Sequence, residues 1–368
     1  MDRKSLYPWL ALNQIAGLGK VGYAHLIERF GSPGKVFQAD LEELQSIEGI
    51  RKNTALAIVK FKRAEKIDRE LDELERQKVG VLTSKDRWYP SLLAKIHDPP
   101  PYLYYKGTLS LQDDRSLAVV GSRQASPYGI KVTERLTWAL SQKSLTIVSG
   151  MARGIDAAAH QGALMAQGRT VAVLGSGLDV IYPQENKKLF DRIVESGLVY
   201  SEFPLGTLPE RQNFPIRNRI ISGLSLGVVI VEATQRSGSL ITARLALDQG
   251  REVFAVPGSV ESFKSSGTHS LIKQGAKLVE HAQDILEELH WDEISQENAP
   301  GLIKVDEKPP SLPAKEKQVW DLLSGGSLHV DQMVRQTGIG ISPLLSLLLE
   351  MELKGLIRQL PGKYFIRR

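Results

Sequence analysis

Residues 145–160 of the chain read LTIVSGMARGIDAAAH. An apolar run leads into two glycines and an arginine, and an alanine-rich segment of helical character follows. In α/β proteins this order of strand, glycine-rich turn and helix is where phosphate is bound, because the amide groups at the start of the helix point at the anion. The stretch predicts an α/β fold with a phosphate site, and it leaves open whether the phosphate belongs to a nucleotide cofactor or to a nucleic acid.

The same order recurs between residues 117 and 289. Apolar runs LAVVG, LTIVSG, TVAVLG, GLVYSEF, LGVVIVEA and EVFAVPG alternate with segments of helical period. Such alternation predicts a parallel sheet with right-handed crossovers. Runs without polar interruption predict strands covered by helices on both faces. The predicted fold class is therefore α/β, with a doubly wound parallel sheet.

The pattern divides the chain into four parts. A helical domain is predicted over residues 1–78, followed by the sheet domain over residues 79–290, in which HDPPPYLYYKG is interpreted as a proline-rich loop. A polar, proline-bearing linker is predicted over residues 291–310. Three helical segments and a hairpin turning at Pro361-Gly362 predict a winged helix over residues 311–368.

The helical domain contains two similar units, IAGLGKVGYAHLIERFG and IEGIRKNTALAIVKF. Each has an apolar residue, a glycine-containing hairpin and a helix, which predicts a duplicated helix-hairpin-helix, or SAM-like, domain. Lys20, Arg51 and Lys52 beside the hairpins favour contact with phosphate. Because basic residues are few, a helical bundle used for packing or protein contact is an equal alternative.

The third helix of the predicted winged helix, SPLLSLLLEMELKG, offers leucines, two glutamates and one lysine. Base reading in the major groove needs polar and basic side chains on that helix, so the sequence favours a structural or protein-binding role for this domain. The remaining candidates for phosphate contact lie on the wing: Arg358, Lys363, Arg367 and Arg368.

The composition is that of an ordinary globular protein, and its slightly positive net charge weakly favours a polyanionic partner. The chain has 368 residues, of which 42% are hydrophobic, and a formal net charge of +5. It contains no cysteine, which excludes disulfides and thiolate chemistry and fits a reducing cytoplasm. The N-terminal stretch does not have the pattern of a signal peptide, and no segment reaches the ~20 apolar residues of a membrane span. We expect a cytoplasmic protein with no membrane partner and no metal.

Nucleotide motifs are incomplete in this chain. GSGLDV at residues 175–180 lacks the third glycine of a dinucleotide fingerprint, and no Walker A sequence is present. The glycine-rich turns are better interpreted as nests of backbone amides for an anion, with Ser237 and Ser239 of SGSLITA adding hydroxyls; ordinary helix capping is the alternative. We therefore expect no cofactor.

Basic residues gather at the carboxyl end of the predicted sheet. A string of phosphates needs such a rim, whereas a single buried nucleotide does not. Aromatic residues that can stack bases lie among them, although core packing is an alternative for each, and together they favour single-stranded nucleic acid. The rim comprises Arg123, Arg153, Lys187, Lys188, Arg217, Arg219 and Arg236, and the aromatic residues are Tyr128, Tyr182, Phe190 and Phe214.

No catalytic group emerges from the sequence. The candidates for acid–base work are Asp156, Asp179, Glu202 and Glu232. Asp156 and Asp179 fit helix capping or pairing with arginine equally well, and no nucleophile with a neighbouring base is evident. His160 lies one turn into an alanine-rich helix, where packing is the favoured role. The sequence therefore predicts a binding protein with no catalytic residues.

The motifs GSR, SGMARGIDAAAH, LGSGLDVIYPQEN, SEFP and NFPIRNRIISGLS, with the stretch from VVIVEATQRSGSLITA to VPG and SSGTHSLIKQGA, resemble the DNA-processing protein A (DprA/Smf) family over about residues 80–290. The resemblance implies an extended Rossmann-like fold and a non-enzymatic protein. Such a protein binds and protects single-stranded DNA in natural transformation, loads the RecA recombinase and forms a homodimer through its Rossmann-like domain.

The resemblance also implies site residues. Arg123 and Lys187 would clamp the phosphate backbone, and Phe190 would pack against a base. Nests would hold further phosphates at Gly121, Ser122, Gly150, Gly154, Ser237, Gly238 and Ser239.

Two other classes of function stay open. A nucleotide-binding Rossmann enzyme of the phosphoribohydrolase type is one, although VEATQRSGSLITA stands where that family has PGGxGTxxE. A nucleotide-sensing transcription factor with the winged helix as its output is the other.

Overall fold

A computed structural model of the protein describes residues 3–291, 313–323, 328–354, 356–360 and 364–367. The chain forms two compact units, residues 1–292 and 293–368. The predicted boundary at residue 78 therefore lies inside the first unit, where it remains a prediction. The predicted linker lies outside the described residues except for Trp291. None of the described helices is long and apolar enough to cross a membrane.

The first unit is built on a sheet of nine described strands. Those strands are β1 (Gly80–Thr83), β2 (Tyr102–Gly107), β3 (Ser116–Gly121), β4 (Thr146–Ser149), β5 (Thr170–Leu174), β6 (Leu198–Ser201), β7 (Gly227–Val231), β8 (Glu252–Ala255) and β9 (Lys277–Leu278).

The strand order in the sheet is β1-β2-β6-β5-β4-β3-β7-β8-β9. Strands β3 to β9 run parallel, and β1 and β2 are antiparallel at one edge. The six apolar runs named from the sequence form β3 to β8, which confirms the predicted parallel α/β sheet. The interpretation of HDPPPYLYYKG as a loop is wrong for its second half. The prolines end at residue 101, and the aromatic residues after them pair as β2.

The helices of this unit are α1 (Arg3–Asn13), α2 (Lys20–Phe30), α3 (Pro33–Val36), α4 (Leu41–Gln45), α5 (Lys52–Val59), α6 (Glu65–Arg76), α7 (Pro127–Gln142), α8 (Ile155–Met165), α9 (Lys187–Ser196), α10 (Asn213–Gly223), α11 (Gly238–Asp248), α12 (Ser266–Lys273) and α13 (Ala282–Glu288).

Helices cover both faces of the sheet, as β5 illustrates. Val171 and Val173 belong to a core cluster that contains residues of α10 and α11, whereas Ala172 and Leu174 belong to one that contains α9 and the N-terminal helices. Because side chains alternate along a strand, the two clusters lie on opposite faces. The N-terminal helices thus share a hydrophobic core with the sheet.

The two N-terminal repeats follow the predicted helix, hairpin, helix pattern. Gly17 and Gly49 occupy equivalent positions in the two hairpins and have φ values of 78° and 82°. Glycine adopts this left-handed conformation without steric cost, so the backbone turns in the same way in both hairpins. Helices α2 and α5 begin three residues later, at Lys20 and Lys52.

The second unit has a small core of its own. Its helices are α14 (Ala314–Leu322), α15 (Val330–Thr337) and α16 (Ile341–Leu353), and its strands β10 (Leu328–His329), β11 (Ile357–Leu360) and β12 (Tyr364–Arg367) form an antiparallel sheet. The predicted three helices and hairpin are present, with β10 as an additional strand. The predicted turn residues, Lys363 and Arg368 lie outside the described residues.

Helix α16 does not have the surface of a base-reading helix. Its exposed side chains include Ile341, Leu345 and Leu349. These three positions are four residues apart, so they form an apolar stripe along one side of the helix. The stripe agrees with the expectation that α16 does not read bases.

Gly121 provides a test of the sheet geometry, because a Cβ at this residue would lie 1.8 Å from the carbonyl oxygen of Val231. We expect Gly121→Ala to lower the free energy of unfolding by about 3 kcal/mol, since β3 and β7 would have to separate. The measurement is urea denaturation followed by circular dichroism.

Gly238→Ala is the matched control, because a Cβ at Gly238 would have no atom within 4 Å. Its free energy of unfolding should stay within about 0.5 kcal/mol of that of the unmodified protein. Equal stability of the two variants would contradict the assignment of Gly121 to close strand approach.

Candidate nucleic-acid interface

The strand order reverses between β3 and β7, which are neighbours in the sheet although three strands separate them in sequence. In open parallel sheets the loops at such a point diverge and leave a crevice at the carboxyl ends of the strands. Here the crevice is a cavity of about 550 Å³, which we call the switch-point cavity. Its lining includes Gly121, Ser122, Arg123, Asp156, Arg211, Phe214, Arg217, Ser237, Gly238 and Ser239.

A smaller cavity of about 220 Å³ adjoins the first and is called the aromatic cavity. Tyr182 and Phe214 line it, with ring centroids 6.1 Å apart. Arg123 lines both cavities, and its guanidinium carbon lies 4.8 Å from the centroid of the Phe214 ring. Arg123 is exposed and has no ion pair with any carboxylate of the described residues. Its charge is therefore available to a ligand in either cavity.

Arg153 also lines the aromatic cavity, but its charge is already paired. Its Nε and NH2 each donate to the carboxylate of Glu185 at 2.9 Å. Both side chains are exposed, and exposed pairs of this kind contribute little stability. The Arg153 guanidinium is therefore held by an ion pair that contributes little to the stability of the fold.

Ser237, Gly238 and Ser239 form the start of α11 at the wall of the switch-point cavity. Ser237 N donates to Thr234 O at 3.0 Å, whereas the amides of Gly238 and Ser239 have no hydrogen-bond partner among the described residues. The Ser239 side chain is buried, and its hydroxyl has no partner there either. This predicted nest is open.

The predicted nests at Gly121, Ser122, Gly150 and Gly154 lie in closely packed loops. Ser122 N donates to Val231 O at 3.3 Å, and Ser122 O accepts from Ile155 N at 3.2 Å. A Cβ at Gly154 would lie 2.3 Å from Ser122 O. Gly121 and Gly154 thus allow the loops after β3 and β4 to pack closely, and the Ser122 amide is already paired. That this group of residues also holds phosphate stays a prediction.

The prediction that Arg217 lies on the basic rim is wrong, because the residue is buried. It is 3% exposed and lies beneath the switch-point cavity, where its NH1 donates to Gly150 O at 2.7 Å and to Val173 O. Burial lowers its pKa to about 10, and burial raises the pKa of Asp156 despite the nearby Arg217 charge. The two groups compensate each other's charge inside the protein.

Arg219 is also buried rather than on the rim, at 6% exposed. Its NH2 donates to the Glu202 carboxylate at 2.6 Å, and its Nε lies 3.1 Å from Asp98. Lys20 Nζ lies 2.9 Å from the same Glu202 carboxylate. The lysine predicted to contact phosphate instead connects the first hairpin to the loop after β6.

Phe190 and Lys187 on α9 differ in exposure. Phe190 is 4% exposed and belongs to the hydrophobic core, so the predicted stacking against a base does not fit this structure. Lys187 is exposed, with Nζ 3.5 Å from Asp191 on the same helix. It lines neither cavity but lies beside Asn186, whose Nδ2 donates to Met151 O in the loop after β4 at 2.9 Å.

Arg211 was missed by the sequence analysis. It lines the switch-point cavity, is exposed and has no carboxylate partner among the described residues. The signal was its place in the loop after β6, two residues before α10, where a basic side chain faces the same edge of the sheet.

His160 has the packing role that the sequence favoured. It is fully buried, and its Nδ1 lies 2.7 Å from Thr170 Oγ1. Because the Thr170 hydroxyl donates to Ile147 O, Nδ1 carries the proton and Nε2 is left without a partner in the described residues. Burial, with a smaller effect of Arg217, lowers the pKa of His160 to about 3.

Comparison with known proteins identifies the class. Residues 80–290 match the family model of DNA recombination-mediator protein A, and residues 305–363 match that of the DprA winged helix domain. Protein Smf from Escherichia coli strain K12 is 39% identical over 366 residues, covering 97% of this chain and 94% of that protein.

Two solved structures are similar to this chain. DNA processing protein A from Streptococcus pneumoniae has a TM-score of 0.68 and 41% identity, covering 77% of this chain and 97% of that chain. DNA processing protein A from Helicobacter pylori, described for its single-stranded DNA binding mode, has a TM-score of 0.53 and 31% identity, covering 58% and 97%. The fold is that of a DNA-processing protein with a C-terminal winged helix. The chain belongs to the DNA recombination-mediator protein A family, which confirms the resemblance drawn from its motifs.

Because His160 is buried and neutral, we expect the stability of the fold to decrease in acid. The unfolded chain binds this proton near pH 6.5 and the native protein only near pH 3, so the free energy of unfolding should fall as the pH drops between these values. The contribution is about 1.4 kcal/mol per pH unit at most. His160→Leu should reduce the slope between pH 7 and pH 5 in urea denaturation, and His97→Leu, at an exposed histidine, should not. Equal slopes in all three proteins would contradict a buried neutral histidine.

Glu202 provides a second test of the buried charges. Glu202→Gln removes the carboxylate that Arg219 and Lys20 share and leaves Asp98 as the neighbouring acid. We expect the free energy of unfolding to fall by about 3 kcal/mol, since a buried guanidinium loses its main partner. Glu195→Gln, an exposed change on α9, is the control. If both variants unfold at the same urea concentration, the network does not stabilise the fold.

Proposed function

We propose that the protein binds single-stranded DNA without sequence preference, through the switch-point cavity and the exposed basic residues beside it. The observation that carries the proposal is Arg123, an exposed and unpaired guanidinium that lines both cavities and packs over an aromatic ring. The single-stranded DNA binding of the Helicobacter pylori relative supports the same function for this chain.

The available contacts suit a single strand. Arg123 and Lys187 are proposed to contact phosphates, and Arg153 joins them when phosphate replaces Glu185. Tyr182, whose side chain is 46% exposed beside Phe214, takes the stacking role that Phe190 cannot fill. Unstacked bases of a single strand present their faces to such a ring, whereas paired bases of a duplex do not.

The wider role is proposed from family membership. The protein would protect single strands entering the cell during natural transformation and load the RecA recombinase onto them, acting in the cytoplasm as a homodimer through its Rossmann-like domain. We propose that it does so without catalysing a reaction. A phosphoribohydrolase activity is the alternative, and release of a free base from nucleoside monophosphates in the presence of the protein would favour it.

Salt titration tests the proposed interface. Arg123→Ala and Lys187→Ala should each weaken binding to oligothymidylate and lower the slope of log affinity against log salt by about 0.7, since each removes one contact with a phosphate of a single strand. Fluorescence anisotropy at several salt concentrations measures both quantities. Lys143→Ala, at the opposite end of the sheet, is the matched control and should leave the slope unchanged.

The unmodified protein should bind single strands more tightly than duplex, with a steep loss of affinity as salt rises. Comparable affinity for duplex, or an unchanged slope in both Arg123→Ala and Lys187→Ala, would count against this interface.

A further inference from the structure

Two aromatic side chains outside both cavities are exposed at the carboxyl end of the sheet. Tyr128, on the first turn of α7, is 54% exposed, and Phe263 is 71% exposed. Phe263 lies in the loop of residues 256–265 that follows β8, which we call the β8 loop, and Val260 of the same loop is 89% exposed. Single exposed apolar side chains are common, whereas a group of them on neighbouring segments marks an interaction surface.

Hydrogen bonds join the β8 loop to the segment that walls the two cavities. The Tyr128 hydroxyl donates to Pro257 O at 3.2 Å, and Lys264 Nζ donates to Gln124 O at 2.6 Å. Gln124 follows Arg123 in the chain, and both residues line the switch-point cavity and the aromatic cavity. The exposed aromatic surface is therefore continuous with the candidate nucleic-acid interface.

Aromatic residues lie on both sides of Arg123 along this edge of the sheet. The neighbouring strands here are β5-β4-β3-β7-β8, and Tyr182, Arg123 and Phe263 lie in the loops after β5, β3 and β8. Four intervals between strands separate β5 from β8 by ~19 Å. A stacked strand that rises about 3.4 Å per nucleotide covers this distance with about six nucleotides. One DNA strand can therefore contact all three loops.

The side chains of the β8 loop favour contact with bases over contact with phosphates. Glu261 is exposed, and its negative charge offsets the positive charge of Lys264, whose Nζ already donates to a backbone carbonyl. The exposed ring of Phe263 carries no charge, and an aromatic ring can stack on any base because every base has a π-face. Bases of a single strand are free to stack in this way, whereas paired bases are not.

We infer that Tyr128 and Phe263 form a second base-stacking place for the DNA strand, on the other side of Arg123 from Tyr182. The strand leaves the aromatic cavity, passes Arg123 and stacks its bases on the two exposed rings. The inference rests on the proposed function and adds Phe263 to the binding residues. The hydrogen bonds from Tyr128 and Lys264 position the β8 loop for this contact.

The test uses the full-length protein and two labelled strands of equal length, oligothymidylate and an abasic strand that has only sugar and phosphate. Phe263→Ala should weaken binding of oligothymidylate by about tenfold, as expected for the loss of one stacked base. Binding of the abasic strand and the salt slope should stay unchanged, because stacking does not neutralise a phosphate. Tyr128→Ala should act in the same direction. Fluorescence anisotropy measures both affinities.

Three variants serve as controls. Phe263→Tyr and Tyr128→Phe retain the ring, so both should bind the two strands like the unmodified protein. Val260→Ala is the matched control, because Val260 is exposed in the same loop and has no ring. All these side chains are exposed, so we expect every variant to keep the melting temperature of the unmodified protein within about 2 °C.

The outcomes separate the two proposals. If Phe263→Ala and Tyr128→Ala bind oligothymidylate like the unmodified protein while Arg123→Ala binds more weakly, the second stacking place is wrong and the proposed function stands. If Phe263→Ala weakens both strands equally, the contact is not with bases and the inference is wrong. If light scattering shows that Phe263→Ala lowers the molar mass of the protein, a second copy covers this surface instead. If the unmodified protein binds neither strand, both proposals fall.

Discussion

The parallel pairing of β3 with β7 is the constraint on which the rest of this site depends. The two strands pair from Ala118 with Val228 to Gly121 with Val231, and the missing side chain at Gly121 lets the Val231 carbonyl approach. After β3 the chain adds β4, β5 and β6 on one side of it, and then returns to add β7 and β8 on the other side. The loop that follows β3 and the loop that follows β7 therefore lead away from each other and leave the switch-point cavity between them. Without this close approach, Arg123 and the start of α11 would not face one space.

The basic residues at this edge fall into two groups with different physical roles. Arg217 and Arg219 are buried, and burial of a charge requires compensating partners, which Asp156 and Glu202 supply. Arg123 and Arg211 are exposed and lack such partners in the described residues. The first group holds the loops and the first hairpin in place. The second group keeps a charge that an external anion can pair with.

The sheet was predictable because its strands are continuous apolar runs, and continuity shows burial on both faces without further information. The burial of Phe190 was also readable: Leu189, Phe190 and Ile193 lie on one side of an amphipathic helix, and all three are buried. The burial of Arg217 and Arg219 could not be predicted from the sequence, because α10 has polar and apolar residues on all sides. These two arginines are covered only because α10 packs against β5 and against the loop that carries Glu202. Strand β2 was not predicted, because the three prolines directly before it indicate a loop.

The glycines at this edge of the sheet lie in similar sequence motifs, but the fold requires glycine at some of these positions and not at others. At Gly121 and Gly154 a side chain would collide with a neighbouring carbonyl oxygen, and Gly154 also has φ of 72°, so the fold itself demands glycine at both positions. At Gly238 a Cβ would meet nothing within 4 Å, and its φ is not in the left-handed region. The fold makes no such demand there. Gly238 instead lines the switch-point cavity, so a side chain added there alters that cavity and leaves the packing of the strands unchanged.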